Sequence, residues 1–114
     1  NLYMRKIPPA LKEEMANDIY YKTCARKDEG NCLGRITWEH AIIYAGKQLN
    51  EKWAIIPICE FHHGVGTFQD HGNLKKEKHI WIALNRATEE ELLKISKALD
   101  YIKLRNFLNA KYNI

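Results

Sequence analysis

Two short stretches decide the fold of this chain: Trp38-Glu39-His40 and, nineteen residues further on, Cys59-Glu60-Phe61-His62-His63. Each stretch closes a run of apolar residues, the first at 35–38 and the second at 54–58. The two remaining cysteines, Cys24 and Cys32, lie just upstream. These cysteines, histidines and a carboxylate, gathered within forty residues, are enough for two metal sites of different character. One would be closed by sulfur and nitrogen, and the other would be hard and open.

The length and composition are those of one small globular domain. The chain has 114 residues, of which 46% are hydrophobic and 28% charged. We expect a single domain over 1–114, with its core at about 24–72 and a helical extension at about 74–112. A domain of this size buries a modest core, so a structural metal would help it to fold. No segment is typical of a membrane span or of a signal peptide, which predicts a cytoplasmic protein with reduced cysteines and no membrane partner.

The spacing of apolar residues predicts an α+β fold. Two strands are expected, at 36–40 and at 53–58, and Pro57 marks the second as an edge or a terminus. Four helices are predicted. The first follows Pro8-Pro9 and has an apolar stripe at 11, 15 and 19, and the next two lie at 60–67 and 74–85. The last begins behind a Thr88–Glu91 capping box and has an apolar stripe at 92, 95, 99, 102 and 107. A turn is expected at 70–73. The segment 41–52 could extend the first strand, form a loop or make a helical turn.

Cys24, Cys32, Cys59 and His62 supply four soft or borderline ligands, the number that tetrahedral zinc requires. Cys59 and His62 are three residues apart, so at the start of a helix both point to the same side. Simple burial of the cysteines beside a surface histidine is the alternative. We predict a closed structural zinc site that ties the N-terminal segment to the second strand.

His63 follows His62 directly, so on a helix it points about 100° away and belongs to a different site. Its available partners are Glu39 and His40. A carboxylate with an imidazole, and other positions left to water and phosphate, can hold Mg²⁺ or Mn²⁺ for phosphodiester chemistry. Histidine is also the usual general base near neutral pH.

The residues at 36–40 followed by those at 55–63 resemble the ββα-metal motif of HNH (His-Me finger) nucleases, especially the small phage or prophage type. In that family an acid-histidine pair ends the first strand, and a Leu-x-Pro-Leu-Cys-x-x-Cys-His type of segment forms the second strand and the start of a helix. The resemblance covers about residues 24–72. It implies a zinc-stabilised ββα-metal core with a two-stranded antiparallel hairpin, flanked by N- and C-terminal helices.

The resemblance also implies a function and a role for each site residue. The chain would be a metal-dependent endonuclease that cuts duplex, branched or single-stranded DNA, in the host cytoplasm if a phage or prophage encodes it. His40 would be the general base, and Glu39 and His63 would bind the catalytic Mg²⁺ or Mn²⁺, which stabilises charge on the scissile phosphate. The structural zinc positions would be Cys24, Cys32, Cys59 and His62, the last of these where a cysteine is commoner.

The chain departs from the family pattern at two places. The middle asparagine of the family should fall near Ala54, so either Asn50 substitutes for it or the base is held in another way. The family also often supplies a third metal-binding group soon after the final histidine. Candidates for that group are Asp70, His71 and Asn73, of which we retain His71 as a further ligand of the catalytic cation.

The remaining charged residues support weaker predictions. Net charge is +4, and the basic residues are spread along the chain, which permits a polyanionic partner without requiring one. His79, in a lysine-rich segment, is expected to be a solvated helix position. Phosphate contacts, or otherwise plain solvated charges, are expected at Arg35, Lys75, Lys76, Lys78 and Arg86.

Two readings other than the nuclease follow from the same residues. The first is a zinc-stabilised module that binds nucleic acid or protein without cutting. The second, a redox thiol protein, is disfavoured because the chain has no Cys-x-x-Cys. The long C-terminal helix could form the face of a homodimer, although packing onto its own domain would explain its apolar stripe equally well.

Overall fold

The computed structural model describes residues 6–44, 47–63, 73–95 and 97–112, with the backbone alone at 44, 47 and 73–76. Helices and strands follow one another along these ranges in the order α1 Pro9–Ala16, β1 Ile36–His40, β2 Ile43–Tyr44, β3 Lys47–Gln48, β4 Ile55–Cys59, α2 Glu60–His63, α3 Asn73–Arg86, α4 Glu89–Leu93 and α5 Ala98–Lys111. The predicted α+β class is confirmed. Within the described ranges, no helix has the length and apolar character needed to cross a membrane.

Strands β1 and β4 form the antiparallel pair on which the site is built. Ile36 lies opposite Cys59 and His40 opposite Ile55. The first strand has its predicted bounds, whereas the second begins two residues later than predicted. The delay arises because residues 52–54 form a 3-10 turn, in which the Ala54 N–H donates to the Glu51 carbonyl at 2.9 Å.

Pro57 is tolerated inside β4 because the strand pairs on one side only. Its carbonyl accepts a hydrogen bond from the Ala25 N–H at 2.7 Å. The segment after Cys24 is therefore hydrogen-bonded to β4, the strand that ends at Cys59. This attachment begins to bring the cysteines together.

The open question at 41–52 is answered by a second, smaller antiparallel pair. Ile43 in β2 lies opposite Gln48 in β3, and the Leu49 N–H donates to the Ile42 carbonyl at 3.0 Å. The chain thus turns back on itself directly after β1. As a consequence Asn50 returns beside His40, the last residue of β1.

Helix α3 covers β4 and forms the main core with it. Ala83 and Leu84 of α3 are fully buried in the same cluster as Ile56 and Ile58 of β4. Helix α3 occupies 73–86, which confirms the helix predicted at 74–85, and it also packs against α5. Because α3 lies over the strand pair, a polar residue on its inner face is directed toward the ends of the strands.

Helix α1 begins at Pro9 as predicted but is shorter than its proposed apolar stripe. It ends at Ala16, and the Asp18 carboxylate then caps a 3-10 turn by accepting the Tyr20 N–H at 2.9 Å. Met15 is buried, whereas Ile19 is 84% exposed. Including Ile19 in the stripe was wrong, because the capped turn changes the direction of the chain.

The single C-terminal helix predicted from the apolar stripe is in fact two helices. The Thr88–Glu91 capping box is present, but α4 ends at Leu93 and α5 begins at Ala98. Leu92 is fully buried, whereas Leu99 is 70% exposed. One straight helix would place these two residues on the same face, so the break between the helices explains why only one of them reaches the core.

Candidate metal centres and active site

The four predicted sulfur and nitrogen ligands converge on one point. Nδ1 of His62 lies 3.2 Å from the sulfur of Cys59, 3.5 Å from that of Cys24 and 3.6 Å from that of Cys32. All four ligand atoms lie within 4.8 Å of one another. Tetrahedral zinc, with Zn–S of about 2.3 Å and Zn–N of about 2.0 Å, requires sulfur-to-nitrogen separations of about 3.5 Å. The group is therefore positioned to bind a metal, and its dimensions fit zinc.

Backbone hydrogen bonds hold the sulfur atoms in this arrangement. The Arg26 N–H points at the sulfur of Cys24 at 3.4 Å, and the His62 N–H points at that of Cys59 at 3.5 Å. Such N–H donors reduce the negative charge that thiolates concentrate around a metal. They also keep the Cys59 and His62 side chains on one side of α2, as their spacing predicts.

Gly34 makes the turn between Cys32 and β1 possible. Its φ of +82° is unfavourable for residues with a side chain, and a Cβ at this position would overlap the side chain of Glu60. Glu60 uses that space to accept the Arg35 N–H at 3.0 Å, while its own N–H donates to the Arg35 carbonyl at 3.0 Å. The loop that carries Cys32 is thereby fixed to the start of α2.

The three thiols differ in how readily they lose a proton. Burial raises the pKa of the Cys24 thiol. Cys32 is exposed as a residue, but partial desolvation of its sulfur and the neighbouring sulfurs of Cys59 and Cys24 raise the pKa of its thiol to about 12. Burial acts in the same direction on Cys59, but N–H groups of His62 and Leu33 directed at its sulfur bring the pKa of this thiol below its ordinary value. The Cys59 thiol thus loses its proton more readily than the other two, and a bound cation would favour the thiolate form of all three.

The second predicted group, Glu39 and His63, is also brought together. Oε1 of Glu39, in β1, lies 3.2 Å from Nε2 of His63, in α2. Both side chains are partly buried, with 17% and 29% of their surfaces exposed. His63 therefore faces away from the zinc ligands, although its neighbour His62 belongs to them.

Hydrogen bonds define which nitrogen of His63 carries its proton. The Thr37 hydroxyl donates its one proton to the Ile58 carbonyl at 2.8 Å, so it can only accept from Nδ1–H of His63, 2.9 Å away. In neutral His63 the lone pair of Nε2 then faces Glu39. A lone pair and a carboxylate oxygen at 3.2 Å can share either a proton or a metal cation. Two neighbouring ligands of an octahedral cation, with bonds of about 2.1 Å, are separated by about 3.0 Å, which fits this pair.

Asn50 holds His40, the predicted general base. Oδ1 of Asn50 lies 2.7 Å from Nε2 of His40, and the amide nitrogen of Asn50 donates to the Lys6 carbonyl at 3.0 Å. The second contact fixes the orientation of the amide, so the oxygen faces the imidazole and accepts Nε2–H. The lone pair of neutral His40 is therefore on Nδ1. Asn50 therefore contacts the predicted base directly, while Ala54 lies fully buried.

His79 was expected to be solvated, and that prediction is wrong. Its side chain is 2% exposed, and its Nδ1 forms a close ion-pair contact with Oε2 of Glu39. His79 lies on the inner face of α3, four residues before the buried Ala83. The spacing of four residues between His79 and the apolar Ala83 could have predicted that His79 is buried. The lysines around His79 instead made the segment resemble a solvated helix face.

Arg26 is a further buried polar residue, and no pattern in the sequence indicated a role for it. It is 8% exposed, and its Nη1 lies 3.3 Å from Nε2 of His79. Its guanidinium also pairs with both carboxylate oxygens of Glu29 at 2.7 and 2.8 Å. Arg26 lowers the pKa of Glu29 to about 2, with Lys78 acting in the same direction. The loop between Cys24 and Cys32 thus reaches the carboxylate group of the second site through His79.

A cavity of about 270 Å³ opens beside Glu39 and His40. Its other walls are formed by His79 and by the apolar residues Ala41, Ile43 and Ile80. The carboxylate and the candidate base therefore share one concave surface. A substrate group that entered this cavity would meet both.

The remaining predicted residues are placed as follows. Asp70 and His71 lie outside the described residues, as do the side chains of Asn73, Lys75 and Lys76. Arg35 is exposed. Lys78 pairs with Glu29 at 2.8 Å, and the Arg86 guanidinium lies 3.8 Å from the centre of the Tyr20 ring.

Comparison with known proteins adds no assignment. No family model matches the chain, and no curated protein or solved structure matches it significantly. The candidate function therefore rests on the arrangement of the side chains and on the resemblance in the two short stretches.

Proposed function

We propose that this chain is a metal-dependent DNA endonuclease, in which Glu39 and His63 bind a divalent cation and His40 acts as the general base. The observation that carries the proposal is the convergence of Oε1 of Glu39 and Nε2 of His63, 3.2 Å apart. Glu39 borders the same cavity as His40. A carboxylate and an imidazole leave further positions of Mg²⁺ or Mn²⁺ to water and phosphate oxygens.

The hydrogen bonds of His40 support its proposed role. Because Asn50 accepts Nε2–H at 2.7 Å, the lone pair on Nδ1 of His40 can take a proton from an attacking water molecule. Asn50 keeps the ring in one orientation during this transfer. Glu39 and His63 would hold the divalent cation, which would supply the positive charge that stabilises the developing negative charge of the scissile phosphate.

The ββα-metal core belongs to the same proposal. Strands β1 and β4 with helix α2 would form it, and zinc at Cys24, Cys32, Cys59 and His62 would hold it together. This division gives the two metals separate tasks. Zinc would maintain the positions of the strands, and the cation at Glu39 and His63 would take part in hydrolysis.

DNA is proposed as substrate from the family resemblance together with the net charge of +4. Contacts to phosphates rather than to bases would dominate binding, so affinity should fall steeply with salt. Arg35, which is exposed, is a suitable phosphate contact. Lys78 and Arg86 are already engaged by protein groups.

The direct test is nicking of supercoiled plasmid in the presence of Mg²⁺ or Mn²⁺. We expect H40A to lower the rate about 10²–10⁴-fold, because it removes the base. E39Q should abolish metal-dependent nicking at the metal concentrations that saturate wild type, because it removes a charged ligand of the cation. E51Q is the matched control, since it makes the same carboxylate-to-amide change at an exposed neighbouring position.

Two outcomes would contradict the nuclease. Nicking that survives H40A at full rate would indicate another active site or a contaminant. Absence of nicking with either metal, on duplex, branched and single-stranded DNA, would favour the zinc-stabilised module that binds without cutting. That module should still bind zinc at the four sulfur and nitrogen ligands.

A further inference from the structure

The loop between Cys24 and Cys32 contains more than two candidate zinc ligands. Arg26, two residues after Cys24, is buried and is anchored at its guanidinium by Glu29 at 2.7 and 2.8 Å. Its Nη1 lies 3.3 Å from Nε2 of His79 on α3. Pairing with Glu29 offsets the cost of burying the guanidinium and fixes its position, so that its Nη1 is held against the imidazole.

The contact with Arg26 determines which nitrogen of His79 carries the proton. A guanidinium can donate hydrogen bonds but cannot accept them, so Nε2 of His79 must be the accepting nitrogen. The proton of the neutral ring is then on Nδ1, which contacts Oε2 of Glu39. Nδ1 of His79 thus forms a close ion-pair contact with one oxygen of Glu39, and the other oxygen, Oε1, faces His63.

We propose that Arg26 and His79 are positioning residues, which fix the Glu39 carboxylate so that its Oε1 is presented with His63 to a divalent cation. This inference rests on the proposed function, since it assumes a cation at Glu39 and His63. His79 itself is not a ligand, because both of its nitrogens are occupied by Glu39 and Arg26. The loop that would close the zinc centre thus also orients a ligand of the second metal.

The test measures Mn²⁺ affinity by calorimetry on the zinc-loaded protein. Residues that orient a metal ligand typically change affinity 10–100-fold when removed, so H79L should weaken Mn²⁺ binding by about that factor. H79N should stay within about threefold of wild type, since its amide N–H replaces the Nδ1–H that contacts Glu39. E77Q is the control on the same helix, because Glu77 pairs with Lys111 at the surface at 2.6 Å.

A second measurement does not depend on any substitution. Nitrogen-15 NMR of the wild-type imidazoles should show His79 with its proton on Nδ1 and a bare Nε2. A proton on Nε2 of His79 would overturn the proposal, even if H79L failed to fold. The zinc content of H79L and H79N should remain that of wild type.

The outcomes separate this inference from the proposed function. Wild-type protein that binds no Mn²⁺ would refute the cation site and the positioning role with it. Mn²⁺ binding in wild type that is unchanged in H79L would overturn the positioning role alone. Equal weakening in H79N and H79L would also overturn it, because the imidazole itself, acting as a ligand, would then be what matters.

Discussion

Replacement of Cys59 by serine tests the proposed zinc centre most directly. Cys59 is 1% exposed, and its sulfur is the one closest to His62, at 3.2 Å. Structural zinc contributes on the order of 10 kcal/mol to the folding of small domains. An equal share for each of the four ligands makes the loss of one cost about 2.5–4 kcal/mol. A domain of this size would then melt roughly 15–25 °C lower.

The assay combines elemental analysis with thermal melting followed by circular dichroism. Wild type should contain about one zinc per chain, and a strong chelator should lower its melting temperature at least as much as C59S does. I58V is the matched control, because Ile58 is the fully buried neighbour in β4. It should lose only about 0.5–1.5 kcal/mol and keep its zinc.

The reasoning would be refuted by a wild-type protein that folds without metal. The specific sign would be a melting curve that neither chelator nor added zinc displaces. Cys24, Cys32 and Cys59 would then be buried or surface thiols near a histidine, and no metal would be needed to join their segments.

Three other perturbations test separate parts of the molecule. N50A should slow plasmid nicking about 10–100-fold without loss of zinc, because His40 loses the acceptor that orients it; an unchanged rate would show that His40 is held otherwise. Arg26 is the chief cause that lowers the pKa of Glu29 from 4.5 to about 2, so the charged carboxylate stabilises the fold above pH 4.5. This contribution to stability is lost as the pH falls from 4.5 to about 2. In urea unfolding, E29Q should therefore be weaker than wild type by on the order of 1 kcal/mol at pH 7, after allowance for solvent screening, with a gap that closes in acid; a gap independent of pH would contradict this. G34A should lower the free energy of unfolding by about 1–3 kcal/mol in the same assay, because a φ of +82° and the Glu60 side chain both oppose a Cβ. A stability equal to that of wild type would mean that the turn can relax.

The separation of the two histidines could be predicted from the sequence. Consecutive residues on a helix point about 100° apart, and the structure accordingly places His62 with the cysteines and His63 with Glu39. The strand at 36–40 and the capping box at Thr88 were likewise predictable. In each case the signal is local, because it depends on a few consecutive residues.

The partners of the site residues could not be predicted in this way. Asn50 reaches His40 only because the chain turns back through β2 and β3, and the sequence left segment 41–52 open between a strand, a loop and a helical turn. The break between α4 and α5 was missed for a similar reason. An apolar stripe records spacing but does not show where the helix axis changes direction.

By itself, the sequence determined the ligand types of both candidate sites and the division of the ligands between them. Only the tertiary structure placed His79 beside Glu39, with Arg26 on its other nitrogen, because these residues lie in three separate segments. Helix α3 packs on β4 through its apolar face, and that packing carries His79 inward although lysines surround it in the sequence. Local composition reports the average surroundings of a segment, whereas the role of a single polar residue depends on which face of the helix it occupies.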